Sequence, residues 1–169
     1  DSNHILETLG ILEGQQGSVA EVHTASAQNT ETSSGTGTSI TSGTTFALIN
    51  TGDDLNNVTN GDTITISGTD HNGVSVSGTY TISDKSTDTI QDLLTAIETT
   101  FGLDAGSATI NGNGEIVITD STAGESQLSV NIVPNKQGGG TLNFGTLTAT
   151  TEGTVMEKVS GQDASVIID

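Results

Sequence analysis

The sequence predicts an α+β fold that is predominantly β: an antiparallel sheet covered by one main helix, plus a second small β-rich unit. Three observations predict it. Apolar residues alternate with period two wherever they recur, as in D-T-I-T-I-S-G (Asp62 to Gly68); the period changes to 3.6 once, between residues 90 and 101; and Gly, Asn and Asp stand at each change of period. With three Phe, one Tyr, no Trp and a single Pro in 169 residues, the core must come from Val, Ile, Leu and Ala on β-branched strands.

Taken in order, Asp1 to Gly14 carries Ile5, Leu6, Leu9 and Leu12 at helical spacing, interrupted by Gly10, and reads as one or two helical turns. Val19 and Val22 mark a strand within Gly17 to Ala27. Thr24 to Thr45 is almost entirely Thr, Ser, Gly, Ala, Asn and Gln, with Ile40 its one large apolar side chain. A segment that can bury so little is expected as a linker, a solvated arm or a weak edge strand. Phe46 to Val58 restores apolar residues around a turn at Asn50 to Asp53. Asp62 to Gly68 and Val74 to Ser83 then form a hairpin through Asp70-His71-Asn72-Gly73, with Val74, Val76, Tyr80 and Ile82 on one face.

The helix comes next. Asp88 and Gln91 suit a capping box at its start, Ile90, Leu93, Leu94, Ile97 and Phe101 make its buried stripe, and Gln91, Asp92, Thr95 and Glu98 are expected to face away. Gly102 stands where a left-handed cap belongs. A second hairpin runs from Ala108 and Ile110 through Asn111-Gly112-Asn113-Gly114 to Ile116 and Ile118. Leu128, Val130 and Ile132 alternate as a strand before Pro134, Gly138-Gly139-Gly140 is a hinge, Leu142 to Leu147 a short strand, and Ala164, Val166 and Ile168 a final alternation. Residues 46–133 are therefore expected as an inserted α+β domain. Segments 1–45 and 134–169 would meet as a second small β-rich domain, and the whole is read as an excerpt of a longer chain.

Function classes narrow by charge. Three basic residues against 21 acidic ones give a formal charge of −18, which leaves nothing to neutralise phosphates, so neither nucleic acid nor an anionic membrane surface is an expected partner. No cysteine is present, which removes disulfides and thiolate metal sites. His4, His23 and His71 are isolated from one another in sequence and are expected as surface histidines. Asp53, Asp54 and Asp62, or Asp70 with Asn72, offer hard oxygen ligands for calcium, but without the spacing of a calcium loop they read as turn formers and caps. No nucleophile elbow, phosphate loop or dinucleotide fingerprint occurs, and aromatic platforms for sugar are nearly absent. The expectation is a non-enzyme with no catalytic, cofactor or metal residues and no cofactor.

Three stretches carry a resemblance. Thr79 to Val130, with T-I-Q-D-L-L-T-A-I before the Asn-Gly hairpin, I-V-I-T-D after it and T-A-G-E-S-Q-L-S-V at its close, resembles the IN motif of flagellar hook-associated proteins. Asp1 to Leu12 looks like the tail of an earlier copy of that motif. Val159 to Asp169, V-S-G-Q-D-A-S-V-I-I-D, is similar to a segment typical of the flagellar filament-cap family. The resemblance implies a piece of the outward-facing domains of an oligomeric cap that promotes flagellin assembly at the filament tip. It also implies an extracellular place on the bacterial flagellum, self-association in the full-length protein, and flagellin and other flagellar subunits as partners, with host or surface glycans as a further one. The alternatives are a variable domain of hook protein or flagellin, and an adhesin or carbohydrate-binding module.

Overall fold

The one stretch with a 3.6-residue apolar period folds as α1 (Ile90–Phe101), and all five residues of its stripe, Ile90, Leu93, Leu94, Ile97 and Phe101, are buried. The computed structural model describes residues 17–31, 37–49, 58–135 and 142–155. The helical segment read in Asp1 to Gly14, the turn at Asn50 to Asp53, the Gly138 to Gly140 hinge and the closing alternation Ala164 to Ile168 lie outside them.

The helix starts one residue later than the spacing of Asp88 and Gln91 predicts. Thr89 is the N-cap, and Asp92 Oδ2 accepts from its backbone N–H at 2.8 Å and its hydroxyl at 2.9 Å. Asp88 is committed elsewhere: its carboxylate accepts the N–H of Ser83 at 2.6 Å and of Asp84 at 3.2 Å, closing the loop ahead of the helix. The first-turn N–H groups of Ile90 and Gln91, which no helix can satisfy internally, donate to the carbonyls of Thr44 and Ser42 at 2.9 and 2.8 Å. Gly102 closes the helix in the left-handed region (φ 67°), with Leu103 N–H returning to the Glu98 carbonyl at 2.9 Å.

Glu98 does not face away. It is buried, and its Oε1 accepts the backbone N–H of Gly106 at 2.7 Å and of Ala108 at 3.0 Å. Position 98 follows Leu94 by four residues and so borders the apolar stripe, where a long side chain can reach the next loop. Glu98→Ala leaves two donors without their acceptor and is expected to lower stability by about 2–4 kcal/mol in urea denaturation. Glu98→Gln keeps an amide oxygen at the same place and should recover most of that loss.

The strands are β1 (Ala20–Ala25), β2 (Thr30–Glu31), β3 (Thr38–Ser39), β4 (Thr63–Thr69), β5 (Ser75–Thr81), β6 (Ala108–Ile110), β7 (Ile116–Ala123), β8 (Ser129–Asn135) and β9 (Leu147–Thr151). They pair antiparallel throughout, in the orders β6-β7-β1-β9, β5-β4-β8 and β2-β3. The fold is thus α+β and mainly β, with a single helix among the described residues.

Both expected hairpins are present and share one loop design. Asp70 N–H donates to Val74 O, Asp70 Oδ1 accepts from the N–H of Asn72 and Val74, and Gly73 adopts φ 79°. Asn111 repeats this with Asn113, Glu115 and Gly114 (φ 77°). A short hairpin loop that ends on a left-handed residue needs glycine there. The loop claims Val74, which is 59% exposed instead of sharing the inward face of Val76, Tyr80 and Ile82. β8 continues through Pro134 to Asn135 instead of stopping before it; as the outer strand of its sheet it can spare that N–H.

The described parts of Thr24 to Thr45 are ordered despite their composition: Ile40 with Phe46 and Ile49 enters the core, and the buried Thr44 and Asn29 have hydrogen-bond partners. Near the other end, the expected strand at Leu142 to Leu147 is an irregular segment that buries Leu142 and Phe144, and pairing starts at Leu147.

The described flanks do meet, since β1 pairs with β9, but β1 pairs equally with β7 of the middle segment. Ala25, Ile40, Leu142, Phe144 and Leu147 join one apolar cluster with the α1 stripe, Ile64, Ile66, Ile116 and Ile118. Among the described residues, packing does not divide at residues 46 and 133. The inward-facing alternation of β7 needs a neighbour on its open side, and β1 supplies it.

Candidate functional site

The histidines and acidic residues singled out from sequence fall into two sets. His4, Asp53 and Asp54 lie outside the described residues. The others are described, and the structure assigns each a local duty. Asp62 is buried and accepts the N–H of Thr59 at 2.9 Å and its hydroxyl at 3.0 Å. Asp70 heads the β4–β5 loop, and Asn72 is exposed at its tip. Among the described residues no three His, Asp or Glu side chains come together as metal ligands.

The two described histidines depart from the surface reading. His23 is buried on β1, where its Nε2 donates to Glu21 Oε1 at 2.5 Å; its Nδ1 has no partner among the described residues. His71 is half-buried, and its Nδ1 donates to Asp120 Oδ2 at 2.8 Å. Asp120, at the end of β7, also accepts the Ser126 hydroxyl at 2.6 Å on Oδ2 and the Thr122 N–H at 2.9 Å on Oδ1. Gln127 N–H donates to the His71 carbonyl at 3.0 Å, and the Thr69 hydroxyl to the Gln127 carbonyl at 2.5 Å. A cleft of about 450 Å³ opens beside this group, with Glu21, Glu125 and Glu152 on its walls.

This constellation fastens parts together. Through His71, Asp120 and Ser126 the β4–β5 loop is tied to β7 of the other sheet and to the connection into β8. The Ser126 hydroxyl points its proton at Asp120 and not at His71, so the histidine is not set up to activate it. Strand parity was the signal that sequence reading passed over. Asp120 shares the inward parity of Ile116 and Ile118, and Glu21 shares that of His23 and Ala25.

Burial by itself would raise the Asp120 carboxyl, but the hydrogen bonds from Ser126, Thr122 and His71, with the His71 charge, outweigh it and hold the group below the usual carboxylate range. A folded value below the unfolded one means stability that is present above the ordinary aspartate pKa and lost as pH falls through the folded value. The wild type is therefore expected to lose its advantage over Asp120→Asn as the pH is lowered from about 5 toward 2. Denaturation midpoints of the two proteins measured across that range, which converge at the acid end, would show it; a constant gap would not.

Comparison of the chain with family models, curated proteins and solved structures finds no match.

Proposed function

We propose that the chain is a non-enzymatic structural module of an extracellular bacterial flagellar assembly, and within that class part of the outward-facing domains of the filament cap. The observation that carries this reading is where the resembling residues stand. In T-I-Q-D-L-L-T-A-I, Ile90, Leu93, Leu94 and Ile97 are buried beneath α1, and in I-V-I-T-D, Ile116 and Ile118 are buried on β7 while Asp120 fastens a loop. The residues shared with the motif are spent on packing, turns and ties between sheets, which is the use a structural unit makes of them. Function still has to be argued from more than a fold, and the sequence similarity of 159–169 to the cap family supplies the finer choice.

In this reading the partners are further copies of the full-length protein, flagellin and other flagellar subunits. Immunogold electron microscopy with an antibody against residues 58–135 tests it: gold is expected at filament tips. Gold along the filament or confined to the hook would point instead to flagellin or hook protein, and gold on cell walls lacking filaments would point to an adhesin.

A further inference from the structure

β6 is an outer strand: β7 pairs along one side of it, and no described strand pairs along the other. The Asn111 N–H donates to Glu115 O, the Thr119 N–H to Ser107 O, and Thr109 faces Val117, so residues 107, 109 and 111 turn their backbone groups toward β7. In an antiparallel pair the alternate residues then point the other way. These are Ala108, Ile110 and Gly112. Glu98 takes the Ala108 N–H. The Ala108 carbonyl, both groups of Ile110 and the Gly112 N–H remain along a groove of about 460 Å³ whose further walls are Ile40 to Ser42, Gln91 and Leu94.

Exposed edges are usually blunted by charge or proline. β8, an edge of the other sheet, carries Pro134, whereas the ten residues from Ala105 to Gly114 contain neither proline nor any charged side chain. The charges around the groove are all of one sign. Asp92 follows Gln91, Glu98 bonds to Ala108, and Glu115 bonds to Asn111, while Lys85 is the one Lys or Arg among the described residues.

We propose that this groove takes an extended strand of a protein partner by β-addition, a strand that alternates small apolar residues with lysine or arginine. Its backbone would pair with Ala108 to Gly112. Its apolar side chains would settle against Ile40, Leu94 and Ile110, and its cations would answer the acidic rim; main-chain pairing supplies affinity and alternate side chains supply selectivity in this mode of recognition. The inference needs only the groove and its surroundings, and it stands apart from the flagellar reading.

The test uses the unmodified chain and three capped synthetic peptides: alternating valine and lysine, alternating valine and glutamate, and the valine–lysine peptide with a central proline. Amide hydrogen exchange of Ile110 and Gly112 is followed by NMR. With the valine–lysine peptide at ten times its dissociation constant, both amides are expected to exchange roughly tenfold more slowly, and neither control should slow them. Unchanged exchange overturns the proposal, as does equal protection by the proline peptide, which cannot pair through its centre, or by the glutamate peptide, which has the wrong charge.

Discussion

Ile97→Ala is expected to destabilise the protein by about 3–4 kcal/mol, read as a lowered urea midpoint with an unchanged slope. Ile97 is fully buried in the centre of the α1 stripe, between Leu93, Leu94 and Phe101, and belongs to the cluster that includes Ile64 and Ile66 of β4 and Ile118 of β7. Deleting three carbons there removes the transfer energy of the side chain and leaves a void that neighbours on two sheets cannot both fill. Ile97→Val should cost only about 1 kcal/mol, and Thr95→Ala, on the exposed side of the same turn, no more than about 0.5 kcal/mol. A domain of this size has about 5–15 kcal/mol in hand. Equal effects at positions 95 and 97 would mean that the helix does not bury this face.

Gly68→Ala is expected to be of similar size, about 3 kcal/mol or more, for a different reason. Gly68 lies in β4 opposite Val130 of β8, and a Cβ at this position would stand 1.8 Å from the Ser129 carbonyl oxygen and 3.3 Å from the Phe101 ring. The nearest atom is backbone, which cannot rotate out of the way, so β4 and β8 would have to separate. Amide exchange should therefore quicken first along β8. Gly102→Ala provides the contrast: nothing lies within 4 Å of a Cβ there, and its cost comes from the left-handed φ of 67° alone, about 1 kcal/mol. If the two glycines gave the same loss, the close approach of β4 and β8 would be refuted.

What could be read from the sequence and what could not separates along physical lines. The α1 stripe was legible because five apolar residues keep one phase for three turns, and the two hairpins because Asn-Gly pairs fall between alternating runs. The helix start was ambiguous by one residue, since Asp88 with Gln91 and Thr89 with Asp92 both satisfy the capping pattern. The choice was made by the loop, where Ser83 and Asp84 claim the Asp88 carboxylate. The order within Thr24 to Thr45 was illegible for a related reason. That segment is held largely by its backbone, with the Ser42 and Thr44 carbonyls receiving the first N–H groups of α1 and the Ile40 N–H donating to Asn29 O at 3.0 Å, and hydropathy does not register such bonds. The clasp at His71 depended on a partner 49 residues away. Parity placed Asp120 on the inner face, but only the folded chain shows which side chain meets it there.

The position of β1 between β7 and β9 has a consequence for the order of events in folding. Its partners arrive late: the Thr150 hydroxyl that donates to the Val22 carbonyl at 3.2 Å is 128 residues further along the chain. The two hairpins and α1 close short loops and can form on microsecond scales, whereas the sheet that holds β1 must close a loop spanning most of the sequence before any contact repays the lost entropy. A chain stopped anywhere before residue 147 would hold β1 by β7 alone. Completion of that sheet, and with it the covering of Leu142, Phe144 and Leu147, is thereby coupled to the arrival of the C-terminal third of the chain.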